Sequence, residues 1–190
     1  LLRQLARGED WRAAAPALFG GGSFGNGAAM RAGPIGGFFK GDPERAAREA
    51  RLSAEVTHAH PEGQAGAMAV AVAAAIAARP SPPAGNDFLR EVLPFVLGGA
   101  TRERIEHASD IPGGDHARAV DGLGTGFQVS SQDTVPYCLW CAARHLKSFE
   151  EAMWWTAMGL GDSDTTCAIV GGIVAFASSV PAKWIEHRAP

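Results

Sequence analysis

Two aspartates stand two positions apart near the end of the sequence, in the segment Gly161-Asp162-Ser163-Asp164-Thr165-Thr166. Carboxylate and hydroxyl oxygens are the ligands that Mg²⁺, Mn²⁺ and Ca²⁺ take in proteins. The segment therefore predicts a site for a hard cation. An alternative stays open, in which Asp164 caps the helix that begins here and Asp162 is a solvated turn residue, because aspartate is a favoured N-cap.

A glycine-rich segment, residues 20–27, precedes a stretch with a helical pattern. It contains the Gly-x-Gly-x-x-Gly spacing of dinucleotide-binding loops. However, residues 11–19 show no strand pattern and no lysine follows the last glycine, so neither a Rossmann fold nor a P-loop is predicted. Free backbone N–H groups at such a turn favour a phosphate or diphosphate, and Phe24 can stack on a base. We interpret the segment as a ligand-binding loop and not as a flexible surface turn.

The segment Thr57-His58-Ala59-His60-Pro61 carries two histidines. A zinc site needs further ligands, which nothing nearby supplies. We therefore favour a single histidine that contacts a ligand, or one that caps a helix. Glu55 and Glu62 flank the segment, and their spacing alone assigns them no role.

Cys138 and Cys141, with His145 four residues later, match the spacing of redox and zinc motifs. The surrounding sequence predicts an apolar helix, and free cysteine is common in protein cores. We therefore interpret these cysteines, and Cys167, as core residues. Three cysteines at this low density indicate a reducing compartment, and we expect a cytoplasmic protein.

Two other readings of the acidic segment are excluded or weakened by its surroundings. An EF-hand would need a glycine where Cys167 stands and a glutamate where Ile173 stands. The segment also matches the Asp-x-Asp-x-Thr motif of haloacid-dehalogenase phosphatases, which ends the first strand of a parallel sheet. Fewer than thirty residues follow the motif here, too few to form the rest of that sheet.

The chain has 190 residues, of which 46% are hydrophobic and 19% charged, enough for one domain with a core. A net charge of -3 and the lack of a Lys/Arg block argue against a nucleic-acid surface and against a basic membrane-binding face. The longest apolar run, residues 65–78, is too short to span a bilayer and predicts a buried helix. The sequence starts at Leu1 without a methionine or a signal-peptide pattern, so we expect the domain to begin upstream.

Helical patterns dominate the chain, and they must position the residues above. Asp42 and Pro43 mark one helix start, Asn86 is expected to cap another, and Ser148 with Glu151 predicts a capping box. Helices are predicted over residues 43–57, 61–78, 86–97, from 101, over 133–145, 149–158, 165–178 and from 181, with loops at 79–85, 111–114 and 121–126. We predict one all-α domain over residues 1–190.

Four segments in order resemble the ADP-ribosylglycohydrolase family: Gly25-Asn26-Gly27-Ala28-Ala29-Met30-Arg31, Thr57-His58, Asp133-Thr134-Val135-Pro136-Tyr137 and Gly161-Asp162-Ser163-Asp164-Thr165. The resemblance covers nearly all of the chain. It implies an all-α fold whose N-terminal part is missing here, two Mg²⁺ or Mn²⁺ ions, and hydrolysis of ADP-ribose linkages. The implied partners are an ADP-ribosylated protein or a small ADP-ribosyl compound, with no nucleic acid and no membrane.

The resemblance also assigns residues by position. It implies that Asp162, Asp164 and Thr165 bind metal, with Ser163 at a position where the family usually has threonine. It also implies that Gly124 to Gly126 form a further wall of the ADP-ribose pocket. It implies that the following residues contact substrate: Ser23, Phe24, Gly25, Asn26, Gly27 and His58.

One part of the family pattern is missing. The family's remaining metal ligands lie in a Thr-Asp-Asp motif that this sequence lacks. We expect those ligands and the catalytic acid or base upstream of Leu1. A catalytically incompetent ADP-ribose-binding module and a phosphatase remain the alternatives.

Overall fold

Thirteen α-helices and two short 3₁₀ turns form the secondary structure of residues 2–187, which are the residues that the computed structural model describes. Within them no strand occurs, and a single β-bridge joins Gly25 to Ser130. The all-α prediction is confirmed. Leu1 and residues 188–190 of the predicted domain lie outside the described residues. The helices are α1 (Leu2–Ala6), α2 (Trp11–Ala17), α3 (Gly27–Met30), α4 (Gly33–Phe38), α5 (Pro43–Glu55), α6 (Pro61–Ala77), α7 (Asn86–Val92), α8 (Ala100–Ala108), α9 (His116–Leu123), α10 (Ser131–His145), α11 (Phe149–Ala157), α12 (Ser163–Val174) and α13 (Ala182–Glu186).

Helix α6 is the centre of the core. Pro61 starts it, because proline at the first helical position has the right φ and loses no hydrogen bond. Every residue from Gly63 to Ala77 is buried, and α3, α4, α5, α10 and α12 all pack against this helix. The predicted buried helix is thereby confirmed. In the part of the chain that is described, no helix has both the length and the apolar character needed to cross a membrane.

Glycines let α4 approach α6 and α12 so closely that no side chain fits between their backbones. A Cβ placed on Gly36 of α4 would lie 2.0 Å from the carbonyl oxygen of Ala71 in α6, and one on Gly33 would lie 2.8 Å from the carbonyl oxygen of Gly172 in α12. Helix α4 is therefore wedged between the two helices. The site described below depends on this, since α3 and the glycine-rich segment precede α4 directly.

Two of the predicted helix starts are confirmed by side-chain caps. The Asp42 carboxylate accepts a hydrogen bond from the Arg45 N–H over 3.0 Å, and the Ser148 hydroxyl accepts one from the Glu151 N–H over 3.3 Å. The Glu151 carboxylate, however, lies 3.7 Å from His145. Ser148 and Glu151 therefore form only one half of the predicted capping box.

The predicted cap at Asn86 is wrong. Gly85 occupies the N-cap position, and Asn86 is the first residue of α7. The Asn86 side chain donates to the Ser109 carbonyl and accepts from Arg144, so tertiary contacts use the groups that a cap would need. Helix α7 also ends earlier than predicted, at Val92, where a 3₁₀ turn containing a proline, Leu93–Phe95, follows.

Candidate functional site

The glycine-rich segment and the acidic segment meet in space. The Asn26 side-chain amide donates to the Asp162 carboxylate over 3.2 Å and to the Thr134 hydroxyl over 3.1 Å. Thr134 in turn donates to the Ser130 carbonyl over 2.8 Å. Asn26 itself is buried. The start of α3, the first turn of α10 and the start of α12 are thus joined at one point.

Asp162 occupies the N-cap position of α12, but its carboxylate makes no capping bond. The Thr166 hydroxyl donates to the Asp162 carbonyl instead, over 3.0 Å. The alternative in which Asp164 is the N-cap is wrong, because Asp164 lies inside the first turn and is exposed. Both carboxylates are therefore free of a capping role.

The environment of Asp162 favours its ionised form. Burial raises the pKa of this carboxyl, but the polar groups of Asp164, of the side chain and backbone of Thr165, and of Asn26 around it outweigh burial and hold the pKa below its ordinary value. Asp162 is consequently a carboxylate at neutral pH, which is the form that binds a cation.

The oxygen atoms of Asp162, Asp164 and Thr165 suit a hard cation by their chemistry. They form only part of a ligand set, since Mg²⁺ takes six oxygen ligands. Within residues 2–187, no group of three or more His, Cys, Asp or Glu side chains lies close enough to hold a metal ion. By their chemistry these three residues would supply only some of the ligands of a cation, and water or groups outside the described residues would supply the rest.

The glycine-rich segment is fixed against the N-terminal end of α10. The Asn26 N–H donates to the Val129 carbonyl over 3.2 Å, and the Ser131 N–H donates to the Phe24 carbonyl over 2.9 Å. The Ser131 hydroxyl also reaches the Gly25 carbonyl. Residues 24–26 of the segment are therefore held against α10 by hydrogen bonds.

An apolar cavity of about 320 Å³ lies beside this loop. Phe24 is 45% exposed, and its ring meets His60 edge-on with a centroid distance of 5.5 Å. The cavity offers the flat, apolar surface that a base needs for stacking. Its lining residues are Phe19, Ser23, Phe24, Gly25 and Val129.

His58 lies beneath the loop, where a Cβ on Gly27 would come within 3.3 Å of its ring. The Arg31 guanidinium donates to the Thr57 hydroxyl over 2.7 Å, and that hydroxyl lies 2.8 Å from His58 Nδ1. Because arginine only donates, the threonine hydrogen is available for Nδ1, and this assignment leaves the imidazole hydrogen on Nε2. Burial, and secondly the charge of Arg31, lower the pKa of His58, so the ring is neutral at pH 7 and offers an N–H towards the loop.

The neighbouring His60 and two glutamates have structural roles. His60 Nδ1 accepts a hydrogen bond from the Glu62 N–H over 3.1 Å and caps α6, which is the second of the two roles predicted for a histidine of this segment. The Glu62 carboxylate accepts from the N–H groups of Ala100 and Thr101, over 2.8 Å each, and so caps α8. Glu55 pairs with a neighbour on α5.

Residues 124–128 form the loop that supports Asp162. The Asp162 N–H donates to the Thr125 carbonyl over 3.0 Å, and a Cβ on Gly126 would lie 2.8 Å from that of Asp162. On the other side, the Gln128 N–H donates to the Asp133 carboxylate over 2.8 Å. The resemblance drew attention to residues 124–126 and to the segment that begins at Asp133, but it assigned Asp133 no role.

Two of the three cysteines, Cys138 and Cys141, lie in the core as predicted, and Cys167 lies at its edge. Cys138 and Cys141 are buried in α10, and Cys167 is half-buried in α12. Burial raises the pKa of Cys138 well above its ordinary value and raises the pKa of Cys141 to about 12. Such thiols stay protonated at neutral pH and are poor nucleophiles and poor metal ligands.

The chain was compared with known families and with curated proteins. The sequence pattern of the family described as ADP-ribosylglycohydrolase matches residues 1–189. A protein of Archaeoglobus fulgidus, described as "Uncharacterized protein", is 36% identical over 163 residues, which cover 84% of this chain and 52% of that protein. The chain thus spans about half the length of this relative.

Proposed function

This chain belongs to the ADP-ribosylglycohydrolase family, and from that membership we propose that the complete gene product is a metal-dependent hydrolase. Its substrate would be an ADP-ribose group joined through a glycosidic bond to a protein side chain or to a related small compound. The observation that carries the proposal is the hydrogen bond from Asn26 to Asp162, because it joins the anion-binding loop to the acidic segment.

The glycine-rich loop supplies donors for the diphosphate. The loop backbone around Gly25 and Gly27 approaches the His58 ring closely, and the Nε2–H of that neutral ring is a further donor. Phe24 offers its exposed face to the adenine in the adjacent apolar cavity, with Ser23 at the cavity wall. One end of the ligand is thereby oriented by hydrogen bonds and the other by stacking.

Asp162, Asp164 and Thr165 would hold Mg²⁺ or Mn²⁺ at the distal ribose. When bound, a divalent cation supplies Lewis-acid polarisation of the oxygen atoms that it coordinates. Two ions are part of the proposal, with the remaining ligands and the general acid or base outside the described residues. Cleavage at an anomeric carbon develops positive, oxocarbenium-like charge. The ionised Asp162 carboxylate, held by Asn26, stabilises that charge without reorganisation.

The test is a turnover assay on the complete gene product. Release of ADP-ribose from an ADP-ribosylated protein, and from a small ADP-ribosyl compound, is followed with Mg²⁺, with Mn²⁺ and after chelation. The proposal expects cation-dependent release that Asp162→Asn abolishes. Full activity in a chelated, metal-free sample contradicts the role of the cation. A lack of release by any sample contradicts the hydrolase.

An ADP-ribose-binding module without catalysis is the second candidate, because the described residues supply only part of a cation site. Calorimetry separates the two functions, since tight binding of ADP-ribose without turnover by the complete gene product identifies the module. The phosphatase alternative loses its support, because the parallel sheet that it requires has no counterpart in residues 2–187, where no strand occurs. A cytoplasmic location, expected from the three cysteines, belongs to the same proposal.

A further inference from the structure

Asp133 is a buried carboxylate, 5% exposed, in the first turn of α10. It stands three residues after the N-cap Ser130, the spacing at which an acidic side chain usually returns to the N-cap backbone while the serine caps the helix. Neither bond forms. The Ser130 hydroxyl is buried and has no hydrogen-bond partner among the described residues, and Asp133 Oδ2 accepts from the Gln128 N–H over 2.8 Å.

The Asp133 side chain and backbone hold one side of the 124–128 loop. The Gly126 N–H donates to the Asp133 carbonyl over 3.0 Å. Gly124 adopts a φ of +78°, and a Cβ there would lie 2.2 Å from Asp133 Oδ1. The loop therefore rests on the carboxylate with no space for a side chain between them.

The other side of the same loop holds the acidic segment. The Thr125 carbonyl accepts the Asp162 N–H, and a Cβ on Gly161 would lie 2.2 Å from the Thr125 carbonyl and hydroxyl oxygens. The 124–128 loop is thus in close contact with Asp133 on one side and with the Asp162 backbone on the other. A displacement of the loop moves the backbone of Asp162, because no free volume takes up the change.

We propose that Asp133 is a positioning residue for the reaction: its buried carboxylate fixes the 124–128 loop, and the loop fixes Asp162 within reach of Asn26. The inference rests on the proposed function, since it assigns Asp162 to a cation. Asp133 itself touches neither substrate nor cation in this scheme. A purely structural Asp133, which stabilised only the first turn of α10 through the helix dipole, is the competing explanation.

The choice of bond partner argues for positioning. Stabilisation of α10 alone is served by the capping box, which would satisfy the Ser130 hydroxyl and the backbone together. The carboxylate instead accepts a hydrogen bond from an N–H group of a loop that lies outside the helix. None of the residues of that loop, Gly124 to Gln128, is charged. The structural role and the positioning role therefore predict different results when this bond is removed.

The experiment compares Asp133→Ala, Asp133→Asn and Asp42→Ala in the complete gene product. Asp42 is the matched control, because its carboxylate caps α5 and lies outside the loop contacts. Amide hydrogen exchange of Gln128 and Asp162, Mn²⁺ affinity by calorimetry, and kcat and KM for ADP-ribose release are measured. For Asp133→Ala we expect Mn²⁺ affinity to fall by about tenfold to a hundredfold, as for other residues that orient metal ligands. Exchange at Gln128 and Asp162 should rise selectively.

Asp133→Asn keeps an oxygen that accepts the Gln128 N–H, and it should restore Mn²⁺ affinity and slow exchange at both amides. Asp42→Ala should lower the melting temperature while leaving Mn²⁺ affinity unchanged. If Asp133→Ala yields no folded protein, Gln128→Pro removes the same hydrogen bond from its donor side. Position 128 then has no amide hydrogen to follow, and a lower Mn²⁺ affinity with faster exchange at Asp162 is expected.

Unchanged exchange at Asp162 in a folded Asp133→Ala or Gln128→Pro variant overturns the inference, and so does a uniform rise in exchange over all of α10. Failure of the proposed function has a different signature, because the wild-type protein then neither binds Mn²⁺ nor releases ADP-ribose. The exchange of Gln128 and Asp162 still reports in that case whether Asp133 positions the loop.

Discussion

The side-chain amide of Asn26 donates a hydrogen bond to the carboxylate of Asp162 over 3.2 Å, although 136 positions separate the two residues in the chain. The contact sets the distance between the loop that would bind a diphosphate and the segment that would bind a cation. It also contributes to the lowered pKa of Asp162. The function proposed for this chain therefore depends on the relative placement of α3 and α12.

Removal of this amide should uncouple the two segments. Asn26→Ala loses the bonds to Asp162 and Thr134, and we expect a cost of about 1–2 kcal/mol in the free energy of unfolding together with weaker ADP-ribose binding. Urea unfolding and calorimetry measure the two effects. Asn86→Ala is the control, because Asn86 also makes side-chain hydrogen bonds but lies on α7. It should lower stability and leave ADP-ribose binding intact.

Removal of the exposed carboxylate should affect binding without affecting the fold. Asp164→Ala deletes a proposed ligand that makes no capping bond. We expect the Mn²⁺ affinity to fall by at least about tenfold, or ~1.4 kcal/mol, with an unchanged helical circular dichroism spectrum. Asp87→Ala, which removes an acidic residue from the first turn of α7, should change neither. Equal Mn²⁺ affinity in the Asp164 variant and the wild type would show that Asp164 is no ligand.

The exposed ring of the glycine-rich loop should matter more for nucleotide binding than for stability. Phe24→Ala removes a stacking surface, and a stacked base is worth about 1–3 kcal/mol in single-stranded nucleic-acid complexes. Because the ring is 45% exposed, the loss in unfolding free energy should be smaller than the loss in ADP-ribose binding. Phe38→Ala, which removes an 81% exposed ring on α4, serves as the control. Similar binding losses in both variants would contradict stacking.

The lowered pKa of His58 predicts a pH dependence of stability. Burial and Arg31 disfavour the charged ring in the folded protein, so the unfolded chain binds more protons as the pH falls below the ordinary value of 6.5. The contribution of His58 is therefore present in full above that value and is lost as the pH falls towards the folded pKa. Melting temperatures of wild type and His58→Asn, measured between pH 8 and about 5, should converge at the acidic end. Parallel curves would rule out this contribution.

The close contact between α4 and α6 predicts a large effect of one methyl group. Gly36→Ala places a Cβ 2.0 Å from the Ala71 carbonyl oxygen, a backbone atom within the buried α6. The overpacking cost of about 1–3 kcal/mol or more should exceed the roughly 1 kcal/mol that alanine gains over glycine in a helix. Gly98→Ala is the control, since nothing lies within 4 Å of its Cβ position. Chemical unfolding of both variants checks the difference.

The helices that carry strong local signals could be predicted from the sequence. Asp42 with Pro43, and Pro61 followed by an unbroken apolar run, fix the starts of α5 and α6 through capping and backbone geometry. Helices α1, α2 and α4 were not predicted, since they are short, and α2 and α4 are rich in alanine, glycine and proline. The helical pattern after the glycine-rich segment did indicate α3. Such helices are held by packing, as Gly36 of α4 is against α6, and not by local propensity.

Within the site, the residues were predictable but their contacts were not. The type and spacing of Asp162 and Asp164 indicate a cation ligand, yet nothing local shows that Asp162 takes the N-cap position or that Asn26 reaches it. Asp133 reads as an ordinary first-turn acid, and its bond to Gln128 arises only when the loop folds back on α10. Interactions between distant segments of this kind depend on the tertiary arrangement and leave no periodic signal.

The burial of α6 on every side has a consequence for biosynthesis. On the ribosome, this apolar helix is complete before α10 and α12, two of the helices that cover it, have been made. The nascent chain therefore carries a helix with uncovered apolar flanks until the final third of the sequence emerges, the condition under which chaperones are recruited and aggregation begins. Any truncation that stops before α12 leaves that state permanent.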